Sequence, residues 1–77
     1  MLDLYYSETC PYCMKVLNYF NSKGIDFNLK DIHISENYDT LMRVGHIPQV
    51  PFLIDTSSGH AMYDSDSIIS YVESKYA

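Results

Sequence analysis

The chain has 77 residues and a formal net charge of −5, with ten acidic residues against five basic ones. This length fits one domain, so residues 1–77 are expected to form a single unit with a thin apolar core. The dispersed cations argue against nucleic acid, whose phosphates require a concentrated basic patch. No stretch approaches the roughly 18 apolar residues of a membrane span, and the N-terminus lacks a secretory pattern. We therefore expect a monomeric cytoplasmic protein with no membrane partner.

The first part of the chain predicts a strand followed by a helix. Residues 2–7 carry leucine or tyrosine at every second position, which predicts a half-buried strand. Apolar residues then recur at i, i+3, i+4 and i+7, the spacing of one helical face, at Cys13, Val16, Leu17 and Phe20. Pro11 suits the first helical position, and Gly24 suits the left-handed cap that ends a helix.

The middle of the chain predicts a second strand, a second helix and a hairpin. Residues 25–30 alternate as the first strand does. The second helix is predicted from Ser35 as its N-cap to Gly45, with three buried residues, Tyr38, Leu41 and Met42. A third strand at 50–54 begins beside a proline, and a turn at Thr56 to Gly59 leads to a short fourth strand at 60–63.

The last helix is predicted from Asp64 or Ser65 to Tyr76, with an inner face formed by Ile68, Ile69, Val72 and Tyr76. The element order is therefore β-α-β-α-β-β-α. Its opening β-α-β unit implies parallel strands, and its later hairpin implies an antiparallel pair. The predicted fold class is α/β, with a four-stranded mixed sheet flanked by three helices.

Two cysteines, Cys10 and Cys13, are the only ones in the chain. A disulfide framework would need more cysteines, and closing so short a loop removes little unfolded-state entropy. Residues three apart on a helix lie side by side, close enough for a disulfide. Cys10 falls at the helix start, where free N–H groups favour a thiolate, whereas Cys13 lies on the apolar stripe. Cys10 is therefore predicted to attack and Cys13 to resolve the mixed disulfide.

Zinc binding and inert packing are the alternatives to redox chemistry for this pair. Two cysteines can supply half of a zinc site, and three histidines are available at His33, His46 and His60. The histidines do not show paired ligand spacing, and a proline-initiated helix is an unusual place for a structural zinc. We therefore expect no metal site.

The motif Cys-Pro-Tyr-Cys at 10–13, after a short strand, resembles the active site of dithiol glutaredoxins. Gln-Val-Pro at 49–51 resembles the cis-proline loop of that family, and Tyr-Asp-Ser at 63–65 resembles its glutathione-binding turn. The three motifs occur in order and span the whole chain. The resemblance implies a thioredoxin-like (glutaredoxin) fold and a cis peptide bond between Val50 and Pro51.

The resemblance also implies a glutathione site, formed by Tyr12, Val50, Pro51, Asp64 and Ser65. The start of the last helix offers free N–H groups to a γ-glutamyl carboxylate, although Ser or Asp there is also an ordinary N-cap. Glutathione would be a co-substrate, with no tightly bound cofactor. The implied activity is a glutathione-dependent dithiol oxidoreductase that reduces protein disulfides and protein–glutathione mixed disulfides.

Three positions depart from the glutaredoxin pattern. Ser7 stands where many members have a cation, Gln49 stands where many have threonine, and Ala-Met at 61–62 replaces a Gly-Gly pair. Gln-Val-Pro occurs in redoxins reduced by thioredoxin reductase, which is an alternative function. The run at 62–71 resembles the glutathione-binding half of glutathione transferase N-terminal domains. A zinc or iron–sulfur protein is the alternative of another class, although Pro11 leaves little room for a cluster.

Overall fold

A computed structural model describes residues 1–76; Ala77, the last residue of the expected unit, lies outside that range. Its elements are β1 (Leu2–Tyr6), α1 (Pro11–Lys23), β2 (Phe27–Asp31), α2 (Ser35–Gly45), β3 (Phe52–Asp55), β4 (His60–Tyr63) and α3 (Ser65–Tyr76). This order and the thioredoxin-like α/β class agree with the sequence prediction. Within residues 1–76, the helices are all too short or too polar to cross a bilayer.

The four strands form one mixed sheet in the order β2-β1-β3-β4. Strand β1 runs parallel to β2, with Leu4 opposite Leu29, and antiparallel to β3, with Leu4 opposite Leu53. Strands β3 and β4 pair as an antiparallel hairpin. Helices pack on both faces of β1, and Tyr5, on the face that also contacts Leu41, is only 3% exposed. The strand is present as predicted, but the prediction that one of its faces is exposed is wrong at Tyr5.

The core is divided between the two faces of the sheet. The larger cluster joins the sheet to α1 and α3 and contains Leu2, Leu4, Val16, Phe20, Leu53, Ile68 and Val72. The smaller cluster contains Tyr5, Leu41 and Phe52, where Leu41 is the contribution of α2. The rings of Tyr5 and Phe52 lie 5.8 Å apart between centroids. The fold is therefore a three-layer arrangement with most of its apolar burial on the α1 and α3 side.

Helix α1 begins and ends where the sequence predicts. Pro11 is its first residue, where the missing N–H costs no hydrogen bond. Cys10 occupies the N-cap with extended backbone angles, φ −98° and ψ 112°. Gly24 ends the helix in the left-handed region at φ 66°, which glycine adopts without a side-chain clash.

Helix α2 differs from its prediction at both ends. Its N-cap is Ile34, whose side chain makes no capping hydrogen bond, and Ser35 is its first residue. At the other end the left-handed position belongs to His46 at φ 72°, so Gly45 is still helical. Three residues were expected to be buried, but only Leu41 is; Tyr38 is exposed and Met42 is half-buried.

Two strands start later than the sequence predicts. Strand β2 begins at Phe27, because the backbone N–H of Ile25 instead donates to Phe20 at 2.9 Å and closes the end of α1. Leu29 lies on this edge strand and is 49% exposed. Strand β3 begins at Phe52, after the bend at Val50. Edge strands have fewer covering residues, so an apolar alternation there does not guarantee burial.

Helix α3 matches its predicted range and most of its predicted inner face. Ile68 and Val72 are fully buried, and Ile69 packs against the larger cluster. Tyr76 is an exception, because the residue is 42% exposed while its hydroxyl donates to Asp55 at 2.7 Å.

Candidate functional site

The dithiol lies where β1 gives way to α1. The backbone N–H of Cys10 donates to the carbonyl of Ser7 at 3.1 Å, which closes the turn and places Cys10 at the N-cap. The Cys10 sulfur then accepts a hydrogen bond from the Cys13 backbone N–H at 3.3 Å. One of the free N–H groups at the helix start is thus directed at the sulfur. Such a donor and the helix dipole both favour negative charge on that atom.

The two thiols have different environments. Cys10 is partly exposed. Cys13 is fully buried, on the same face of α1 as Val16 and Phe20. Burial raises the pKa of Cys13 from 9.0 to about 12; the backbone of Ser7 opposes this rise, and Cys10 adds to it. At neutral pH Cys13 is therefore a protonated thiol, and Cys10 is the sulfur that a substrate can reach.

A loop between α2 and β3 forms one wall beside the dithiol. The peptide bond between Val50 and Pro51 is cis, as the sequence resemblance implies. The Cys10 thiol lies 3.8 Å from the carbonyl oxygen of Val50 and points its S–H toward it. A substrate bound at the Cys10 sulfur would therefore lie next to the backbone of this loop.

The start of α3 forms the facing wall. Asp64 has a left-handed backbone, φ 79°, and its Oδ2 accepts from the backbone N–H of Ser67 at 3.2 Å and from its hydroxyl at 3.1 Å. Asp64 is thus the N-cap of α3, as the simpler sequence interpretation held. Ser65 follows as the first helical residue and is only 4% exposed. The helix start still offers N–H groups to a ligand, since one cap satisfies one donor.

Between these walls lies an open cleft of about 260 Å³, lined by Tyr12, Gln49, Val50, Pro51, Asp64 and Ser65. The structure thus brings together all five residues that the sequence assigned to glutathione. Tyr12 borders it from α1 and is 66% exposed. Gln49 is an additional lining residue that the sequence reasoning treated only as a departure. Its place directly before Val50 was the signal available for including it.

The histidines considered for zinc make other contacts. His33 shares a 3.0 Å contact with Asp31, and His60 lies 3.3 Å from the Ser58 hydroxyl. His46 provides the left-handed end of α2. Across residues 1–76, no group of three or more histidine, cysteine, aspartate or glutamate side chains is arranged to hold a metal ion.

The position expected to carry a cation has a different role here. Ser7 is almost fully buried, and its hydroxyl lies 3.0 Å from that of Thr9 in the turn before Cys10. Lys15, one turn into α1 after the dithiol, pairs with Asp66 at 2.6 Å and so links α1 to α3. Both partners are mostly exposed, so this ion pair contributes little to stability.

The fold and the dithiol cleft define a thioredoxin-like protein. Within that class, residues 4–77 match the family described as glutathione S-transferase, N-terminal domain, and the chain belongs to this family. The interpretation of the run at 62–71 as resembling such domains is therefore confirmed, and the match extends to residues 4–77. The glutaredoxin assignment, drawn from the Cys-Pro-Tyr-Cys motif, finds no support in this match.

Similar proteins come from bacteria and animals. An isoprene-epoxide–glutathione S-transferase of Rhodococcus sp. (strain AD45) is 33% identical over 69 residues, which are 90% of this chain and 27% of that protein. Glutathione S-transferase 1-6 of Anopheles dirus species B is 31% identical, with a TM-score of 0.80 over 97% of this chain and 36% of its own. A Methylobacillus flagellatus glutathione S-transferase solved with GSH bound is 26% identical, with a TM-score of 0.80 over 97% of this chain and 37% of its own. The chain thus spans between 27% and 37% of these relatives.

Proposed function

We propose that this chain binds glutathione in the cleft and uses Cys10 for glutathione-dependent thiol–disulfide exchange, with Cys13 as the resolving thiol. The observation that carries the proposal is the pairing of a reachable sulfur at a helix N-terminus with a buried thiol one turn later. That asymmetry suits an attacking and a resolving cysteine. Glutathione serves as co-substrate, and no tightly bound cofactor is required.

The cleft supplies complementary groups for each part of glutathione. The backbone of Val50 suits the peptide-like cysteinyl unit, because main-chain groups pair as they do at a sheet edge. The N-terminus of α3 and the Ser65 hydroxyl suit the γ-glutamyl carboxylate. The Asp64 carboxylate suits the neighbouring ammonium group. Support for glutathione as the ligand comes from the family and from a relative that was solved with GSH bound.

The reaction is an exchange of sulfur bonds that conserves electrons. The Cys10 thiolate attacks one sulfur of the substrate disulfide, and the displaced sulfur leaves as a thiolate that takes up a proton. Glutathione resolves a glutathionyl–Cys10 intermediate directly, giving glutathione disulfide and free Cys10. Cys13 resolves a protein–Cys10 intermediate after losing its proton, and two glutathione molecules then reduce the resulting Cys10–Cys13 disulfide. Turnover on a protein disulfide therefore oxidises two glutathione molecules. Turnover on a protein–glutathione mixed disulfide oxidises one, because the substrate supplies the other half of the glutathione disulfide.

Glutathione conjugation is the second candidate, because the Rhodococcus relative is named a glutathione S-transferase for an isoprene epoxide. In such a transfer the glutathione sulfur attacks an electrophilic carbon, and no disulfide is made or broken. Cys10 would then lie beside the glutathione sulfur without reacting. The reachable Cys10 sulfur favours exchange in this chain, since a thiolate at that position reacts readily with a disulfide.

One pair of assays separates these functions. The first follows reduction of a glutathione mixed disulfide coupled to glutathione reductase and NADPH, and the second follows conjugation of glutathione to an epoxide. We expect turnover in the first assay, its loss in Cys10→Ser, and its retention in Cys13→Ser. Cys13→Ser should lose activity on intramolecular protein disulfides.

Conjugation that survives in Cys10→Ser, without exchange in the wild type, would replace the proposal with the transferase. Activity in neither assay, together with no glutathione-dependent NMR shifts at Val50 or Ser65, would overturn glutathione binding itself. Exchange that requires thioredoxin reductase in place of glutathione would assign the chain to the reductase-dependent redoxins.

A further inference from the structure

The hydroxyl of Tyr63, at the end of β4, makes hydrogen bonds to both the carbonyl and the N–H of Ile47. It donates to the Ile47 carbonyl at 2.7 Å and accepts from the Ile47 N–H at 3.2 Å. The Ile47 carbonyl also accepts from the N–H of Gln49 at 2.8 Å. Val50, in the wall of the cleft, follows three residues after Ile47.

The ring of Tyr63 is held as firmly as its hydroxyl. It packs against Phe52, with 4.5 Å between the ring centroids. It also lies close to Gly45, where an added Cβ would overlap the Tyr63 hydroxyl oxygen and stand 2.8 Å from its Cζ and 3.1 Å from the Phe52 Cε1. The contacts with Tyr63 are shorter than real Cβ atoms make, so the absence of a side chain at Gly45 leaves the space that Tyr63 occupies.

Tyr63 is also the residue before Asp64, so it connects the two walls of the cleft. Its backbone leads into the left-handed Asp64 and the start of α3, and its hydroxyl binds the loop that continues to Val50. The loop and the α3 N-terminus otherwise approach each other across open space about 260 Å³ in volume. The side chain of Tyr63 therefore links two segments that a ligand in the cleft would have to bridge.

We propose that Tyr63 is a positioning residue that sets the separation of the two walls and so determines the affinity of the cleft for glutathione. The inference rests on the proposed function, because it concerns how the same cleft is held ready. Binding groups must stay within about 0.5 Å of the productive geometry for a site to reach its full affinity. The two hydrogen bonds from Tyr63 to the N–H and carbonyl of Ile47 restrain the loop between its ends.

A purely structural role would give a different result. The side chain of Ile47 is 50% exposed, so water can replace the tyrosine hydroxyl at the loop backbone. Removal of the hydroxyl would then lower stability slightly and leave ligand affinity unchanged. A positioning role instead loosens one wall and weakens binding beyond any change in stability.

The test compares Tyr63→Phe with Tyr76→Phe. Both substitutions delete one phenolic hydroxyl, but that of Tyr76 donates to Asp55 at 2.7 Å, away from the cleft residues. Glutathione affinity is measured by calorimetry or NMR titration, unfolding is measured in urea, and the alkylation rate of Cys10 is measured with iodoacetamide. We expect Tyr63→Phe to raise the dissociation constant of glutathione roughly three- to tenfold.

In the same variant the alkylation rate of Cys10 should stay within about twofold of wild type, since the hydrogen bond from Cys13 is retained. Tyr76→Phe should lower stability with unchanged glutathione affinity. Equal affinity in wild type and Tyr63→Phe would overturn the positioning role and leave the proposed function intact. A wild-type protein that binds no glutathione would overturn both.

Discussion

The backbone N–H of Cys13 points at the sulfur of Cys10 from 3.3 Å, so the buried cysteine supplies a hydrogen bond to the exposed one. Its own sulfur lies in the core side of α1 without solvent contact. One turn of helix thus gives the two thiols opposite environments. The proton that is easily lost from a solvated thiol is retained at Cys13, which has consequences for stability as well as for chemistry.

The first prediction concerns alkaline pH. Burial raises the pKa of Cys13 from 9.0 to about 12 in the folded protein. Between these values the unfolded chain loses this proton while the folded protein keeps it, so the free energy of unfolding falls as the pH rises. The contribution is complete below about pH 9 and is lost by about pH 12. Its slope is at most about 1.4 kcal/mol per pH unit, the limit for one proton.

Urea unfolding of the reduced protein at pH 7, 9 and 10 measures this effect. Cys13→Ser is the control, because serine has no ionisation in this range while the tyrosines are unchanged. We expect the wild type to lose more stability than the variant between pH 9 and 10. Parallel profiles for the two proteins would show that Cys13 ionises as freely in the folded state as in the unfolded chain.

The carboxylate of Asp55, at the end of β3, is fully buried and accepts hydrogen bonds at both of its oxygens. Its Oδ1 accepts from the backbone and hydroxyl of Ser57 at 3.1 and 2.7 Å. Its Oδ2 accepts from three side chains of α3, namely Tyr71, Lys75 and Tyr76. This network fastens the C-terminal half of α3 to the sheet.

The second prediction is that Asp55→Asn destabilises the protein by about 2–4 kcal/mol at pH 7. An amide N–H₂ cannot accept the three α3 donors, so buried donors lose their partner. Burial by itself raises the pKa of Asp55, but hydrogen bonds from Tyr71 and Ser57, with those from the end of α3, hold it below its usual 3.8. The carboxylate therefore contributes stability above pH 3.8, and that contribution is lost as the pH falls below it.

Chemical unfolding at pH 7 and near pH 3 checks both parts. The difference between wild type and Asp55→Asn should be smaller at the lower pH. Asp3→Asn is the matched control, because that carboxylate makes a single exposed contact with Asn28 at 2.9 Å. It should change stability by less than about 1 kcal/mol. Equal losses in the two variants would mean that the Asp55 network does not hold α3.

Local patterns in the sequence determine the elements that carry the dithiol. The stripe after Pro11 and the glycine at position 24 predict the range of α1, because caps and helical periodicity act over a few residues. The cis bond before Pro51 and the cleft residues came from the resemblance to a family. Neither propensity nor spacing places residues forty or more positions apart against one another.

Other features depend on tertiary contacts that no local pattern reveals. Asp55 reads as the polar end of a strand, yet it is buried because α3 brings donors from sixteen to twenty-one residues away. Gly45 reads as a helix terminator, yet the left-handed residue is His46. The glycine is required by the side chain of Tyr63, which reaches it from strand β4.

The third prediction separates the two roles of Asp64. Asn at this position keeps an oxygen that can cap Ser67 and tolerates the left-handed backbone, but it carries no charge. Stability should therefore fall by less than about 1 kcal/mol. If the carboxylate pairs with the ammonium of glutathione, the dissociation constant should rise about tenfold.

Asp66→Asn is the control for charge, because Asp66 lies in the same helical turn and pairs with Lys15 outside the cleft. Both variants change the net charge equally, so a general electrostatic effect would weaken glutathione binding in both. We expect calorimetry to show weaker binding in Asp64→Asn only. Unchanged affinity in that variant would limit Asp64 to capping α3.

The fourth prediction uses two glycines that follow different physical constraints. In Gly24→Ala the new Cβ meets nothing within 4 Å, so the cost is only that of a left-handed alanine, about 1 kcal/mol. In Gly45→Ala the new Cβ would overlap the hydroxyl oxygen of Tyr63 and stand 2.8 Å from its Cζ. Relief requires the ring to move, and the hydroxyl that binds Ile47 moves with it.

Both alanine variants should therefore unfold at lower urea concentrations than the wild type, but only Gly45→Ala should bind glutathione more weakly. The Tyr63→Phe change provides the second arm of a double-mutant cycle. If Gly45 acts through the tyrosine hydroxyl, the loss of affinity in the double variant will be smaller than the sum of the two single losses. Additive losses would mean that Gly45→Ala disturbs the cleft by another route, such as through Phe52, which lies 3.1 Å from the same added Cβ.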